Sequence, residues 1–150
     1  MKKAIFPGSF DPFTIGHYSI VQRGLLLFDP ITIAVGVNQT KQCFFSLEKR
    51  LQLIQQAFPD NDRISVKAYD MLTVDFAKQE QAGFILRGLR GFTDFEYEKY
   101  IADINRRTIG TETVLLFTQP EYESVSSTIV RDFLSRNMDA SSFLPPGVKI

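Results

Sequence analysis

The chain alternates, almost from end to end, between short apolar runs rich in β-branched residues and stretches with helical periodicity. The apolar runs predict five strands, at residues 3–6, 31–37, 64–68, 84–86 and 113–117. Helices are predicted at residues 16–28, 47–58 and 74–82. Two more helices are expected to begin near Thr93, which has capping-box spacing to Glu96, and near Ser126. Strands that alternate with helices favour a parallel sheet, because each parallel connection needs a crossover.

The predicted fold class is α/β, with a single doubly wound, Rossmann-like domain over residues 1–150. Its sheet is expected to hold five parallel strands in the order 3-2-1-4-5, with helices on both faces. A chain of 150 residues fits one domain, and it contains no internal repeat, low-complexity tract or linker. Ligands bind such sheets outside the carboxyl ends of the strands, where the winding direction reverses. The segments after the strands therefore hold the candidate site residues.

Charge and cysteine content argue against several classes of function. Lys plus Arg and Asp plus Glu number 17 each, so the net charge is zero and no long-range attraction to nucleic acid is expected. Cys43 is the single cysteine and cannot form an internal disulfide, and the N-terminus lacks the pattern of a secretory signal. No apolar run approaches the roughly 20 residues that span a bilayer. These features predict a cytoplasmic protein that neither enters a membrane nor binds nucleic acid.

The loop after the first predicted strand combines glycine, proline and the only histidine of the chain. Residues 7–17 are Pro-Gly-Ser-Phe-Asp-Pro-Phe-Thr-Ile-Gly-His, and His17 stands near the start of the following helix. Free N–H groups at a helix start and a glycine that permits close approach can bind phosphate, while His17 can donate a hydrogen bond to developing charge. The alternative is a tight turn with a surface histidine.

A second cluster, Arg-Gly-Leu-Arg-Gly, follows the fourth predicted strand. Arg87 and Arg90 carry planar sets of donors that match phosphate oxygens. Alternatively, the two arginines form surface ion pairs with Asp94 or Glu98, which would contribute little to stability. The spacing alone leaves both interpretations open.

Hydroxyl residues gather before the last predicted helix. Residues 122–131 are Tyr-Glu-Ser-Val-Ser-Ser-Thr-Ile-Val-Arg. Hydroxyls and free N–H groups at a helix start can bind the distal phosphates of a nucleotide. The alternative is ordinary N-capping by Ser126 or Ser127.

Together these strings resemble the signatures of the nucleotidyltransferase superfamily. Residues 8–17, with Thr14, Gly16 and His17, are similar to the phosphopantetheine adenylyltransferase branch. Residues 87–90 and 94–98 resemble the Arg-Gly-Leu-Arg and Asp-Phe-Glu-Tyr-Glu motif of the same branch. Residues 126–131 resemble the second nucleotide motif, the counterpart of the Lys-Met-Ser-Lys-Ser loop of class I aminoacyl-tRNA synthetases. Two departures are Ser9, where threonine is usual, and Glu-Ser-Val at 123–125, where Ser-Phe-Ile is more common.

The resemblance implies transfer of AMP from ATP to 4'-phosphopantetheine, which gives dephospho-coenzyme A and pyrophosphate. It assigns catalysis to His17, Lys41 and Arg90. It assigns the ATP contacts to Ser9, Phe10, His17, Gly88, Leu89, Arg90, Glu98, Tyr122, Glu123, Ser124, Val125, Ser126, Ser127 and Thr128. It assigns the acceptor contacts to Ser9, Lys41, Leu72, Thr73, Arg87 and Asn105. Taken alone, Lys41 is equally consistent with a solvated loop lysine, and Leu72 and Thr73 with an ordinary helix start.

The implied reaction is a direct in-line attack on the α-phosphorus of ATP. A phosphate monoester is largely dianionic at pH 7, since its second pKa is about 6, so the acceptor needs no strong general base. Mg²⁺ is expected to arrive with the triphosphate, because the sequence contains no evident all-protein metal site. The resemblance also implies a homohexamer, and it leaves feedback by coenzyme A open.

Two alternatives to this function come from different classes. The first is another transferase of the superfamily, such as a nicotinate-mononucleotide adenylyltransferase or a glycerol-phosphate cytidylyltransferase. Thr14 and the string at residues 87–98 argue against both. The second is a non-catalytic nucleotide sensor, which would have no need for both His17 and Lys41.

Overall fold

The computed structural model describes residues 1–150, and its five strands form one parallel sheet in the order 3-2-1-4-5. The strands are β1 (Ala4–Gly8), β2 (Ile31–Gly36), β3 (Ile64–Tyr69), β4 (Phe84–Leu89) and β5 (Glu112–Phe117). Every neighbouring pair in the sheet is parallel. The predicted strand order is confirmed. The winding reverses between β1 and β4, so the carboxyl ends of these two strands mark the switch point.

The helices that connect the strands are α1 (Ile15–Gly24), α2 (Leu47–Ala57), α3 (Thr73–Gln79), α4 (Phe92–Ile109) and α5 (Ser127–Ser135). Two short 3₁₀ turns, Pro120–Tyr122 and Ser141–Phe143, complete the chain. Hydroxyl side chains cap three of the helices, where Thr14, Ser46 and Ser126 accept hydrogen bonds from N–H groups of the first turn. The predicted helix start near Ser126 is confirmed.

Three predicted element ends, those of α1, α3 and β4, are wrong by three or more residues. α3 ends at Gln79 rather than residue 82, where the chain leaves the helix and Gln81 takes a positive φ of 54°. α1 ends at Gly24 rather than residue 28, because the following residues close into a turn in which the N–H groups of Leu26 and Leu27 donate to carbonyls only three residues back. The predicted helix start near Thr93 is confirmed, since α4 begins at Phe92, but its N-cap is Gly91 without any side-chain hydrogen bond, so the expected capping box is absent. β4 continues to Leu89, because β5 pairs with it as far as Phe117.

Helices cover both faces of the sheet, as predicted. Alternate residues of β1 separate the two layers of core, since Ala4 and Phe6 pack into the larger cluster and Ile5 into the smaller one. The larger cluster includes residues of α1, α2 and α5, and the smaller one lies under α3. No helix of the protein combines the length and the apolar character that crossing a bilayer requires.

Candidate active site

A cavity of about 440 Å³ lies at the switch point, outside the carboxyl ends of β1 and β4 and beside the first turns of α1 and α5. The loop after β1 contributes Ser9 to its wall, and the turn after β4 contributes Arg90. His17 and Arg90 therefore open onto the same cavity. The prediction that these two segments lie side by side is confirmed.

A second cavity, of about 1020 Å³, lies outside the carboxyl ends of β1, β2 and β3 and along one side of α4. Its wall is more apolar, with 10 hydrophobic residues among 24, whereas the smaller cavity has 6 among 24. The two cavities share seven wall residues: Pro7, Gly8, Ser9, Lys41, Arg87, Tyr97 and Glu98. The site therefore consists of a polar compartment and a more apolar compartment that meet at a cationic junction.

The protonation state of His17 follows from its hydrogen bond to the helix cap. The Thr14 N–H donates to Nδ1 of His17 at 3.0 Å, so Nδ1 carries no proton and Nε2 is the N–H of the ring. Burial, together with the positive charges of Arg90 and Arg87, lowers the pKa of His17 to about 3. At pH 7 His17 is therefore a neutral hydrogen-bond donor in the wall of the smaller cavity.

We expect nuclear magnetic resonance to find no titration of His17 in the folded protein between pH 8 and about pH 4.5, because its pKa is lowered to about 3. The chain has one histidine, so the ring signals are unambiguous. The urea-unfolded chain is the control and should titrate near the usual 6.5. A native midpoint near 6.5 would contradict the neutral-donor assignment.

The lowered pKa of His17 also determines how the stability of the fold changes with pH. Below about pH 6.5 the unfolded chain binds a proton at His17 that the folded chain does not bind until about pH 3. The contribution of His17 to the free energy of unfolding is therefore present above pH 6.5 and is lost as the pH falls toward 3, by at most about 4 kcal/mol.

Arg87 and Glu98 form a bidentate ion pair at the junction of the two cavities. Nε and Nη2 of Arg87 donate to the carboxylate of Glu98 at 3.0 and 2.6 Å, and Nη1 donates to the Pro7 carbonyl at 2.9 Å. Glu98 is 7% exposed, so the pair is largely buried rather than a surface pair. The guanidinium is thereby held in place between β1, β4 and α4, with two of its five N–H groups free for a ligand.

Two further cations border the site with more freedom. Arg90 makes an exposed ion pair with Asp94, at 3.4 Å, and lines the smaller cavity. Lys41 is exposed, and its Nζ lies 3.5 Å from Oγ of Ser9 at the junction. The ion pairs that the sequence offered as an alternative to phosphate binding are thus present, yet Arg87 and Arg90 still line the cavity.

Most residues singled out from the sequence lie in the cavity walls. The smaller cavity contains Ser9, Phe10, His17, Lys41, Arg87, Gly88, Arg90, Glu98, Tyr122, Val125, Ser126, Ser127 and Thr128. The larger cavity contains Ser9, Lys41, Leu72, Thr73, Arg87, Glu98 and Asn105. Leu89, Glu123 and Ser124 line neither cavity: Leu89 follows Gly88 on β4 and faces the other way, and the other two are exposed beyond the 3₁₀ turn. Their assignment to ATP stays a prediction.

Three residues that hold the site together received no role from the sequence, although two of them, Asp11 and Arg131, stand within the strings at residues 7–17 and 122–131. The carboxylate of Asp11 accepts hydrogen bonds from the N–H groups of Phe44 and Phe45 at 2.7 and 2.8 Å, which ties the loop after β1 to the segment that carries Lys41. Arg131 donates to the Asp11 carbonyl at 2.7 Å, and Arg50 donates to the Ser9 carbonyl at 2.8 Å. Arg50 could have been noticed, since it stands four residues before Ile54 on the apolar side of α2.

Comparison with known proteins places these features among nucleotidyltransferases. The cytidylyltransferase-like family model matches residues 5–133. A phosphopantetheine adenylyltransferase of Bacteroides thetaiotaomicron is 57% identical over 150 residues, which cover 100% of this chain and 99% of that protein. A phosphopantetheine adenylyltransferase of Flavobacterium johnsoniae is 49% identical, with the same coverage of both chains.

Solved structures are similar at the level of the fold. A bifunctional NMN adenylyltransferase/ADP ribose pyrophosphatase from Francisella tularensis superposes with a TM-score of 0.69 and 15% identity, over 95% of this chain. This chain spans 44% of the length of that protein. The lipopolysaccharide core biosynthesis protein from Thermoplasma volcanium superposes with a TM-score of 0.56 and 19% identity, over 79% of this chain and 98% of that one.

Proposed function

Because this chain belongs to the phosphopantetheine adenylyltransferase family, we propose that it transfers the adenylyl group of ATP to 4'-phosphopantetheine. The products are dephospho-coenzyme A and pyrophosphate. The observation that carries this proposal is the junction where a polar and a more apolar cavity share Ser9, Lys41 and Arg87. A transferase needs two substrate compartments that meet where the bond is made.

The smaller cavity suits a nucleoside triphosphate. The N-termini of α1 and α5 border it, and their free N–H groups favour negative charge. Arg90 adds an exposed positive charge, and Ser127 and Thr128 add hydroxyls at the start of α5. We assign the triphosphate of ATP to this compartment.

The larger cavity suits a long, partly apolar acceptor that ends in a phosphate. Its walls carry Leu72, Thr73 and Asn105, and Lys41 and Arg87 stand where it joins the smaller cavity. Lysine and arginine together can hold a dianionic phosphate next to the nucleotide. We assign the pantetheine arm to this compartment and its phosphate to the junction.

The reaction proceeds by in-line displacement. An oxygen of the acceptor phosphate bonds to the α-phosphorus of ATP, and the bond from the α-phosphorus to the bridging oxygen of the β-phosphate breaks, so pyrophosphate leaves with that electron pair. Lys41 and Arg90 neutralise charge on the reacting phosphates, and Nε2–H of His17 donates to an oxygen of the transferring phosphoryl group. No proton has to leave the acceptor, because its phosphate is already ionised at pH 7.

We propose that Mg²⁺ enters the site bound to the triphosphate. No three side chains of His, Cys, Asp or Glu come together as a metal-binding group in this protein. The wall of the smaller cavity carries cations and hydroxyls that bind phosphate oxygens, and each of its three carboxylates is already engaged, Asp11 by backbone N–H groups and Asp94 and Glu98 by arginines. When bound, the ion would supply further neutralisation of the β- and γ-phosphates.

The decisive experiment measures pyrophosphate release from ATP with three acceptors in parallel: 4'-phosphopantetheine, nicotinate mononucleotide and glycerol phosphate. We expect release with phosphopantetheine alone. The assay with CTP and glycerol phosphate controls for a cytidylyltransferase. Release with another acceptor would replace the proposed substrate, and ATP binding without release from any acceptor would indicate a nucleotide sensor.

We further propose that the protein forms a homo-oligomer, with six chains as the family resemblance implies. Apolar side chains of α4 outside the cavities are left in solvent, with Phe92 94% and Tyr100 64% exposed, and exposed apolar groups of this size favour association. Sedimentation velocity measures the number of chains.

We also propose that coenzyme A, which contains both halves of the product, competes with the substrates at the same two cavities. The proposed cytoplasmic location is a separate prediction, which cell fractionation tests.

A further inference from the structure

Arg50 is a buried cation for which the reaction described above has no role. It lies in the first half of α2, is 4% exposed, and takes part in none of the nine ion pairs of the protein. Its Nε has no hydrogen-bond partner. An arginine stays protonated in proteins, and burying a charge without a counter-ion is costly. A counter-charge supplied by a bound anion would account for such a residue.

The contacts of Arg50 lead directly to the junction of the two cavities. Nη1 donates to the Ser9 carbonyl at 2.8 Å and to the Gly36 carbonyl at 3.3 Å, which are at the carboxyl ends of the neighbouring strands β1 and β2. Ser9 lines both cavities, and Gly36 lines the larger one. Arg50 therefore stands behind the wall on which the two substrates are proposed to meet.

The hydrogen bond to Ser9 also fixes the direction of the next N–H group. The Ser9–Phe10 peptide is trans, so the N–H of Phe10 points away from the carbonyl that Arg50 holds. No hydrogen bond within the chain uses that N–H, although Phe10 is 4% exposed and lines the smaller cavity. A buried N–H without a partner is rare and points to a ligand.

Phe10 has an unfavourable backbone conformation that the surrounding contacts must hold in place. Its φ of 48° lies in the left-handed region, which non-glycine residues seldom occupy, and a residue held there costs on the order of 1 kcal/mol. The aromatic rings of Phe6, Phe13 and His17 pack around the Phe10 ring, and Arg50 holds the peptide on its other side. The conformation of Phe10 and the contact of Arg50 with Ser9 together fix the orientation of this peptide at the wall of the smaller cavity.

We propose that Arg50 is a positioning residue of the transfer reaction, which orients the Phe10 N–H toward the phosphates of ATP and places a permanent positive charge behind both substrates. This inference rests on the proposed function for the identity of the substrates. Because the charge lies in a water-poor region, it acts on the phosphates more strongly than a surface cation does.

Arg63 provides a control at the opposite end of the sheet. Its Nη2 also donates to two backbone carbonyls, those of Leu25 at 2.6 Å and Phe28 at 3.3 Å. Unlike Arg50, it is partly exposed, and its Nε forms an ion pair with Asp29 at 3.3 Å. Neither arginine lines a cavity itself, but Arg50 holds the carbonyls of the wall residues Ser9 and Gly36, whereas Leu25 and Phe28 belong to neither wall. Arg50→Met and Arg63→Met each remove one guanidinium that binds two carbonyls, but only the first lies near the substrates.

The test compares both variants with the wild type at a temperature where all are folded, by calorimetry with ATP and by pyrophosphate release. We expect Arg50→Met to lower ATP affinity and kcat/KM for ATP by about 10- to 100-fold, because the variant loses both the orientation of the Phe10 N–H and a nearby positive charge, and Arg63→Met to stay within about twofold. ATP kinetics of Arg50→Met within twofold of wild type, or equal losses in both variants, would overturn the proposal.

A lysine variant separates the effect of the positive charge of Arg50 from its effect on the orientation of the Ser9–Phe10 peptide. It also replaces Arg50→Met in the test if that variant does not fold. Arg50→Lys keeps the charge but cannot hold two carbonyls in one plane. We expect its ATP affinity to stay within about threefold of wild type while kcat falls at least about fivefold, and we expect Arg63→Lys to change neither. Full kcat in Arg50→Lys would overturn the positioning role. Calorimetry measures ATP binding without an acceptor. Its result therefore tests the role of Arg50 even if phosphopantetheine is not the acceptor.

Discussion

Replacing His17 with alanine is expected to lower kcat by about 100- to 1000-fold, the range found for loss of one donor to a transition-state oxygen. The ring is a neutral donor through Nε2 at the wall of the smaller cavity. A donor of this kind gains strength as charge builds up on the phosphoryl oxygens, so its loss affects turnover more than ground-state binding. Steady-state kinetics with both substrates should therefore find a large change in kcat and a small change in KM.

Glutamine at position 17 is the control for this prediction. It can accept from the Thr14 N–H, as Nδ1 of His17 does at 3.0 Å, and it can still donate from its amide nitrogen. We expect His17→Gln to recover part of the lost kcat. Alanine leaves the Thr14 N–H without that partner, at a cost of about 1 kcal/mol in stability, which thermal unfolding will measure. Normal turnover in a folded His17→Ala variant would remove His17 from the mechanism.

Replacing Arg87 with alanine is expected to weaken phosphopantetheine binding by about 10- to 150-fold, as for a lost charge-assisted phosphate contact, and ATP binding far less. The substitution is also expected to lower the stability of the fold. Glu98, which is 7% exposed, loses its ion pair and becomes a buried charge without a partner. Because the Arg87 side chain is one third exposed, the loss of stability should lie near the lower end of the range for buried pairs, about 3 kcal/mol.

The double variant Arg87→Ala/Glu98→Gln separates these two effects. Removing the unpaired charge should restore most of the stability without restoring affinity for phosphopantetheine. Arg90→Ala is the complementary control, because its ion pair with Asp94 is exposed and its loss should change stability little while weakening ATP binding. Calorimetry with each substrate tests both assignments. An Arg87 variant that loses ATP affinity and keeps phosphopantetheine affinity would reverse them.

The sequence was sufficient to predict the sheet, because the features that determine it are local. Apolar runs of strand length and helical periodicity between them are repeated along the chain, and only a few topologies accommodate that pattern. The motif strings located the loop with His17 and the arginine cluster of β4. The extent of β4 could not be predicted, since its last residues are held in the strand by pairing with β5.

The chemical state of the site was decided by the tertiary structure. Arg87 reaches the Pro7 carbonyl over a sequence separation of 80, Arg50 reaches Ser9 over 41, and Arg131 reaches Asp11 over 120, and no local pattern specifies such pairs. The pKa of His17 likewise depends on burial and on two arginines that come from another strand and the turn after it. The sequence alone therefore determined the order of the strands and which residues lie near the site. Only the packing of distant segments decided which of these residues are paired, charged or free, because desolvation and hydrogen bonding depend on neighbours that the fold brings together.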